Sequence, residues 1–73
     1  MSVATEIDVS VNDRTRSVVG GCTLQALMAD LGFTDRKGVA AAVNGAVVPK
    51  SAWAGRPLQS GDAIIVIQAT QGG

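Results

Sequence analysis

The first part of the chain alternates between polar and apolar residues. Between residues 5 and 11 every second side chain is apolar, which is the period of a half-buried β-strand. Asn12 and Asp13 follow, and both residue types tolerate the backbone conformations of tight turns. Residues 14–19 then return as a second strand. We therefore predict a β-hairpin over the first 19 residues, with an inward apolar face formed by Ile7, Val9 and Val11.

The pattern changes to a helical period after the glycines at positions 20 and 21. Thr23 is a favourable N-cap residue, and Gly32 stands where a glycine commonly ends a helix. Between them, apolar residues recur at i, i+3, i+4 and i+7 and so share one helix face: Leu24, Leu27, Met28 and Leu31. Because two turns of helix are not stable alone, we expect this helix to lie on the apolar face of the hairpin.

Two further signals organise the second half of the chain. Residues 39–43 are small and apolar, and the Asn44-Gly45 dipeptide after them strongly favours a tight hairpin turn. Residues 46–48 form the short return strand of that hairpin. Pro49 confines this strand to an edge or end of the sheet, because proline cannot donate to a strand ladder.

The last third of the chain completes the predicted fold. Residues 51–53 indicate one helical turn that folds Trp53 against the body, Leu58 is a core candidate, and residues 63–67 form a β-branched strand. The order β-β-α-β-(β)-turn-β predicts an α+β protein with the β-grasp architecture of ubiquitin-like proteins. Its mixed sheet of four or five strands is crossed by one main helix. We assign residues 1–68 to this domain and residues 69–73 to a flexible C-terminal tail.

The last strand carries apolar residues on both of its faces. Successive side chains of a strand point to opposite sides, so we expect Ile64 and Val66 to point inward and Ile65 and Ile67 outward. One short helix covers only one face of a sheet. Exposed apolar residues on the other face of a small protein commonly mark a partner surface, which we assign to Ile65 and Ile67. The alternative is that oligomerisation or crossing loops cover this face.

The chain ends in six residues that carry no bulky or charged side chain, closing with Gly72-Gly73. Glycine has no Cβ and accepts almost any backbone conformation, so this end fits a narrow channel. The Gly73 carboxylate is anionic at neutral pH and is a chemical handle for an enzyme that activates carboxylates with ATP. The alternative is an ordinary frayed terminus.

Composition excludes several classes of function. Six basic and six acidic residues cancel, so no basic patch is expected for nucleic acid. The longest apolar run is five residues, far short of the roughly 20 that span a bilayer. The N-terminal residues lack the features of a signal peptide, and a single cysteine fits a reducing compartment. We therefore expect a cytoplasmic protein.

The residue types required for most catalytic sites are missing. The chain has no His and no Tyr, which excludes Cys-His pairs, Ser-His-Asp triads and His-based metal sites. We predict no metal site and no enzymatic activity of its own. Cys22 precedes the helix, where the dipole favours reactivity, but we interpret it as a small packing residue. We interpret Arg14 and Arg16 as solvent-facing charges rather than an anion site.

The second half of the chain contains a series of short motifs, namely Val43-Asn44-Gly45, Val48-Pro49-Lys50, Trp53, Leu58, Gly61-Asp62 and Gly72-Gly73. No single motif is specific, but their order and spacing together form a strong combination. In this combination the chain resembles the ThiS family of sulfur carrier proteins in thiamine biosynthesis. The resemblance covers nearly the whole chain, and the departure is the extra segment before the first strand.

The resemblance implies a carrier mechanism. A ThiF-like adenylyltransferase would adenylylate the Gly73 carboxylate with MgATP, while Gly72 and Gln71 thread the tail into that partner. Sulfur from a cysteine desulfurase or another donor would displace AMP and leave a thiocarboxylate. That group would donate sulfur to the thiazole synthase, ThiG. The carrier itself would bind no cofactor.

Three alternatives remain open at this stage. A small subunit of molybdopterin synthase shares the fold and the Gly-Gly end, but it tends to carry an aromatic- and proline-rich approach to the glycines. A β-grasp binding module would have incidental terminal glycines. Conjugation in the manner of ubiquitin would require isopeptide products on target lysines.

Overall fold

A computed structural model describes residues 5–34 and 37–68 of the 73-residue chain. Within these ranges every predicted element forms. The elements are β1 (Glu6–Val11), β2 (Arg14–Val19), α1 (Leu24–Asp30), β3 (Val39–Val43), β4 (Ala46–Val48), a 3₁₀ helix (Lys50–Gly55) and β5 (Ala63–Gln68). Residues 1–4, which belong to the segment before β1, lie outside the described residues, as does the assigned tail of residues 69–73.

The strands form one five-stranded mixed sheet in the order β2-β1-β5-β3-β4. The β1–β2 and β3–β4 pairs are antiparallel hairpins, and β5 lies between them. It runs parallel to β1 and antiparallel to β3. The predicted β-grasp fold is confirmed, as is the position of the short strand β4 at an edge of the sheet.

The two hairpin turns explain why these strands meet so tightly. Asn12 and Asp13 have φ values of 50° and 70°, and Asn44 and Gly45 have values of 53° and 85°. Two consecutive residues with positive φ match the two-residue turns whose twist suits adjacent strands. Asparagine and aspartate visit this left-handed region more readily than other side chains, and glycine does so without steric cost.

Both ends of α1 are capped as the sequence predicts. The Thr23 hydroxyl accepts a hydrogen bond from the backbone N–H of Ala26 at 3.2 Å. At the other end Gly32 has a φ of 83°, and its N–H donates to the Ala29 carbonyl at 3.0 Å. The Phe33 N–H donates to the Met28 carbonyl at 2.9 Å, which completes a Schellman motif. The helix is therefore held to seven residues by its own local sequence.

Replacement of Thr23 by alanine is expected to lower the free energy of unfolding by about 1 kcal/mol, because an N–H at the helix start loses its acceptor. The midpoint of thermal unfolding should fall by roughly 4–8 °C, measured by far-UV circular dichroism. Thr23→Ser keeps the hydroxyl and is the control, expected to melt close to the wild type. Equal losses in both variants would show that the methyl group, rather than the cap, provides the stability.

The core lies between the sheet and α1. Leu24, Leu27 and Met28 on the helix are buried, which confirms the predicted apolar face. They form one cluster with residues from the sheet and the last connection, namely Val9, Ala41, Val43, Val48, Trp53, Leu58 and Ile64. Trp53 and Leu58 are thus core residues, as predicted.

The two arginines of the first hairpin differ in their surroundings. Arg14 is exposed, whereas Arg16 forms an ion pair with Asp30 at the end of α1, and its side chain is 41% exposed. The hairpin register places Arg16 directly opposite Val9 and therefore on the helix side of the sheet. Arg16 therefore links β2 to the helix while its side chain still reaches solvent, and this contact was not predicted.

Candidate functional site

Strand β5 is the element that leads to the predicted tail. It occupies the centre of the sheet, with β1 on one side and β3 on the other. Its last described residue, Gln68, pairs with Val39 at the start of β3. The candidate tail residues Gln71, Gly72 and Gly73 lie outside the described residues. The site is therefore built from β5 and the surfaces that flank it.

The start of β5 is fixed by a polar pair that joins the buried Asp62 to the exposed Asn44. Asp62 is 7% exposed, and its two carboxylate oxygens accept from Asn44 Nδ2 at 3.0 Å and from the Gln59 N–H at 2.9 Å. The Asn44 Oδ1 atom accepts from the Ala63 N–H at 2.9 Å. The Asn-Gly and Gly-Asp motifs, 18 residues apart, are therefore two halves of one contact. The sequence analysis identified Asn44-Gly45 as a turn and Gly61-Asp62 as a motif but did not predict that they meet.

The side chains of β5 alternate between core and surface. Ile64 is fully buried, and Val66 packs against the core. Ile65 and Ile67 lie on the opposite face and are 40% and 51% exposed. The structure therefore places both candidate partner-surface residues outward, as the strand alternation predicts.

These two isoleucines belong to a larger apolar patch on the outward face of the sheet. Ile65 lies opposite Ala42 of β3, and Ala42 lies opposite Val47 of β4. Ile67 lies opposite Ala40 in the same way. Val47 is 68% exposed, the largest value among the exposed large apolar side chains. We define the apolar patch as Ile65, Ile67, Val47, Ala40 and Ala42, of which Ala42 is itself buried between its neighbours.

Val47 and the two alanines were missed in the sequence analysis. Residues 46–48 form a strand after the turn at 44–45, and successive side chains of a strand point to opposite faces. This alternation predicts that Val47 points away from Val48. Val48 faces the core and is buried, whereas Val47 lies on the other side of the sheet. The patch therefore extends over three strands rather than one.

The rest of this sheet face is mainly polar, apart from Val19, which is 52% exposed at the end of β2. The outward positions of β1 and β2 include Asp8, Ser10, Thr15 and Ser17, and the Ser17 hydroxyl donates to Asp8 Oδ1 at 3.1 Å. The helix packs against the opposite face. The outward face is thus divided into a polar half on β1–β2 and an apolar half on β5–β3–β4. The apolar half contains both residues that the sequence analysis assigned to a partner surface, Ile65 and Ile67.

Other site chemistry is not found in the described part of the chain. Residues 5–34 and 37–68 contain no group of three or more His, Cys, Asp or Glu residues that could hold a metal ion. In the same ranges, no helix is long and apolar enough to cross a membrane. Cys22 is half-buried against the core, as expected for a packing residue. It also lines a cleft of about 240 Å³ between β2 and α1.

Solved structures with this fold include two of a thiamine biosynthesis protein (ThiS) from Geobacter metallireducens. The crystal structure has 22% sequence identity and a TM-score of 0.77, covering 92% of this chain and 100% of that chain. The solution NMR structure has 23% identity and a TM-score of 0.73, covering 92% and 88% of the two chains. At this level of identity the likeness shows the fold.

Comparison with curated proteins gives no significant sequence match. The family model described as the ThiS family, however, matches residues 9–73. This match begins within β1, includes the Asn44 and Asp62 pair and β5, and extends to the terminal glycines. It supports a role as a small sulfur carrier in thiamine biosynthesis rather than as a catalyst. The chain belongs to the ThiS family.

Proposed function

We propose that this protein carries sulfur as a thiocarboxylate on Gly73 and donates it to a thiazole synthase of the ThiG type. The observation that carries the proposal is the family match through residue 73, joined to a central strand that leads directly to the glycines. The chain would act as the protein substrate of other enzymes in the cytoplasm, and it would bind no cofactor itself.

The chemistry requires activation because a carboxylate is a poor electrophile. An oxygen of the Gly73 carboxylate attacks the α-phosphorus of ATP, and pyrophosphate leaves. A sulfur nucleophile at the oxidation level of sulfide then attacks the acyl carbon, and the bond to AMP breaks. The product is a thiocarboxylate, and the sulfur comes from cysteine through a desulfurase or another donor. A desulfurase carries this sulfur as a persulfide, so two thiols, such as those of excess cysteine, reduce it to the sulfide level and are themselves oxidised to a disulfide.

This division of labour matches the residues of the chain. A ThiF-like adenylyltransferase would supply the magnesium ion, the ATP site and the positive charge that stabilise the transferring phosphoryl group. The carrier would supply only its carboxylate and a thin tail. Gly72 and Gln71 would thread that tail, since a bulky side chain at position 72 would fill a narrow channel.

We assign recognition by the partners to the apolar patch. Ile65 and Ile67 lie on the strand that precedes the tail in the sequence, so a partner docked there would contact the chain within eight residues of Gly73. Burial of apolar surface supplies affinity without any charge on the carrier. The net charge of the chain is zero, so long-range electrostatic steering contributes little.

The test is the intact mass after incubation with MgATP, the adenylyltransferase, a cysteine desulfurase and cysteine. Replacement of the carboxylate oxygen by sulfur adds about 16 Da, nearly the same as oxidation of a methionine. A variant that lacks Gly73 keeps both methionines and is the matched control. The gain is expected in the wild type, absent without ATP, and absent in the truncated variant.

The outcomes separate the remaining alternatives. An unchanged mass, with an adenylyltransferase that is active on its own carrier, would contradict the proposal and favour a binding module. If the thiolated protein supplies sulfur to molybdopterin synthase but not to thiazole synthase, the proposed acceptor is wrong and molybdopterin synthase takes its place. Isopeptide products on lysines would indicate conjugation instead.

A further inference from the structure

We propose that Asn12 is a positioning residue that keeps the C-terminal half of β5, the strand that precedes the carrier tail in the sequence, ordered for binding to the activating enzyme. This inference rests on the proposed function, because it concerns how the same tail is presented. Asn12 lies in the turn between β1 and β2, 54 residues from its partner in β5.

The backbone pairing between β1 and β5 is short. It joins only Ser10 to Ala63 and Val11 to Ile64. After Val11 the chain turns away toward β2, so β1 provides no further backbone partner for β5. The second half of β5, which includes Ile67 of the apolar patch, therefore extends past the end of β1.

Asn12 continues this pairing beyond the end of the strand. Its backbone N–H donates to the Ile64 carbonyl at 2.9 Å. Its side-chain Oδ1 accepts from the Val66 N–H, also at 2.9 Å. The side-chain carbonyl thus occupies the place of the backbone carbonyl that a longer β1 would have supplied. Among the described residues, this is the last hydrogen bond that β5 receives from the β1 side.

The position of this bond gives it a role in presenting the tail. On the other side, β5 pairs with β3 as far as Gln68. Without the Asn12 bond, residues 66–68 would be held from one side only and would fray more readily. Each frayed residue must be ordered again when the tail enters a partner, which lowers affinity by roughly 5- to 30-fold per residue.

The requirement for Asn12 differs from the requirement for the turn itself. Asn12 and Asp13 both have positive φ values, so the turn restricts both positions to residues that tolerate this conformation. The side chain of Asp13 makes no hydrogen bond to β5 within residues 5–34 and 37–68. Both residues thus need a positive φ, but of the two only Asn12 contacts Val66.

The experiment compares Asn12→Gly with Asp13→Gly in the full-length chain. Both variants place a glycine in the same turn, and glycine adopts the positive φ values that this turn requires. Each variant also gains a similar conformational freedom in the unfolded state. The rates of adenylylation by the ThiF-like enzyme give KM and kcat for the carrier. Amide hydrogen exchange followed by NMR reports the protection of Val66, and Asn12→Asp restores a side-chain oxygen acceptor.

We expect Asn12→Gly to raise KM about tenfold with little change in kcat, because about one residue must be ordered again on binding. The Val66 amide should exchange faster in this variant. Asp13→Gly should retain the wild-type KM and protection, and Asn12→Asp should recover most of both. A purely structural role would change the global stability without this difference in KM between the two glycine variants.

Two results would overturn the inference while the carrier function stands. One is an equal KM for Asn12→Gly and Asp13→Gly, and the other is loss of Val66 protection without a change in KM. If the competent enzyme does not adenylylate the wild type, the proposed function fails first and the positioning role fails with it.

Discussion

Replacement of Trp53 by alanine is expected to lower the free energy of unfolding by about 3–5 kcal/mol. The indole is fully buried in the core cluster, and its Nε1–H donates to the Val48 carbonyl at 2.9 Å. Alanine would leave a cavity and an unpaired carbonyl at the end of β4. A domain of this size has a total stability of roughly 4–11 kcal/mol, so this loss would remove a large share of it.

The measurement is urea denaturation followed by far-UV circular dichroism, since the variant lacks the only tryptophan. Trp53→Phe is the control, because it keeps most of the apolar volume and loses the hydrogen bond. We expect it to be destabilised less than the alanine variant. A loss below about 1 kcal/mol in Trp53→Ala would show that the 3₁₀ helix collapses to fill the space.

The double replacement of Ile65 and Ile67 by threonine is expected to lower kcat/KM for the adenylyltransferase by about 30- to 150-fold. Each isoleucine is about half exposed, so docking of a partner would bury the remaining apolar surface. Loss of that surface, at about 1–1.5 kcal/mol per side chain, gives a change of this size. Threonine is β-branched and retains the strand propensity of isoleucine, so the fold should be kept.

Val19→Thr is the matched control for the patch. Val19 is 52% exposed on the same outward face, but it lies at the end of β2 and outside the apolar patch. Its replacement should leave adenylylation unchanged. Equal effects of the two replacements would contradict the assignment of the patch. If the double variant is adenylylated at an unchanged rate and the wild type is still thiolated, the partner docks on a surface other than the apolar patch.

The elements that the sequence predicts correctly are those with a local physical cause. The turn at Asn44-Gly45 and the helix between Thr23 and Gly32 depend on residues within a few positions of each other. The burial of Ile64 and the exposure of Ile65 can be predicted from the two-residue period of a strand in a sheet with one covered face. Such features can be inferred without knowing which strands pair.

The features that the sequence did not predict depend on the order and register of the strands. The hydrogen bond from Val66 to Asn12 joins residues 54 positions apart, and no local pattern shows it. The Asn44–Asp62 contact and the exposure of Val47 depend on the placement of β5 beside β3 and of β4 at the edge. The side of the sheet to which Arg16 points follows from hairpin register in the same way.

The central position of β5 also has a consequence for biosynthesis of the protein. The two hairpins are separate units in the sheet, and β5, the last strand to be translated, is the strand that joins them. A nascent chain that lacks residues 63–68 has two unpaired strand edges and no Ile64 in its core. Folding is therefore expected to wait until β5 has been synthesised, so that chains terminated before residue 63 stay unfolded and open to proteolysis.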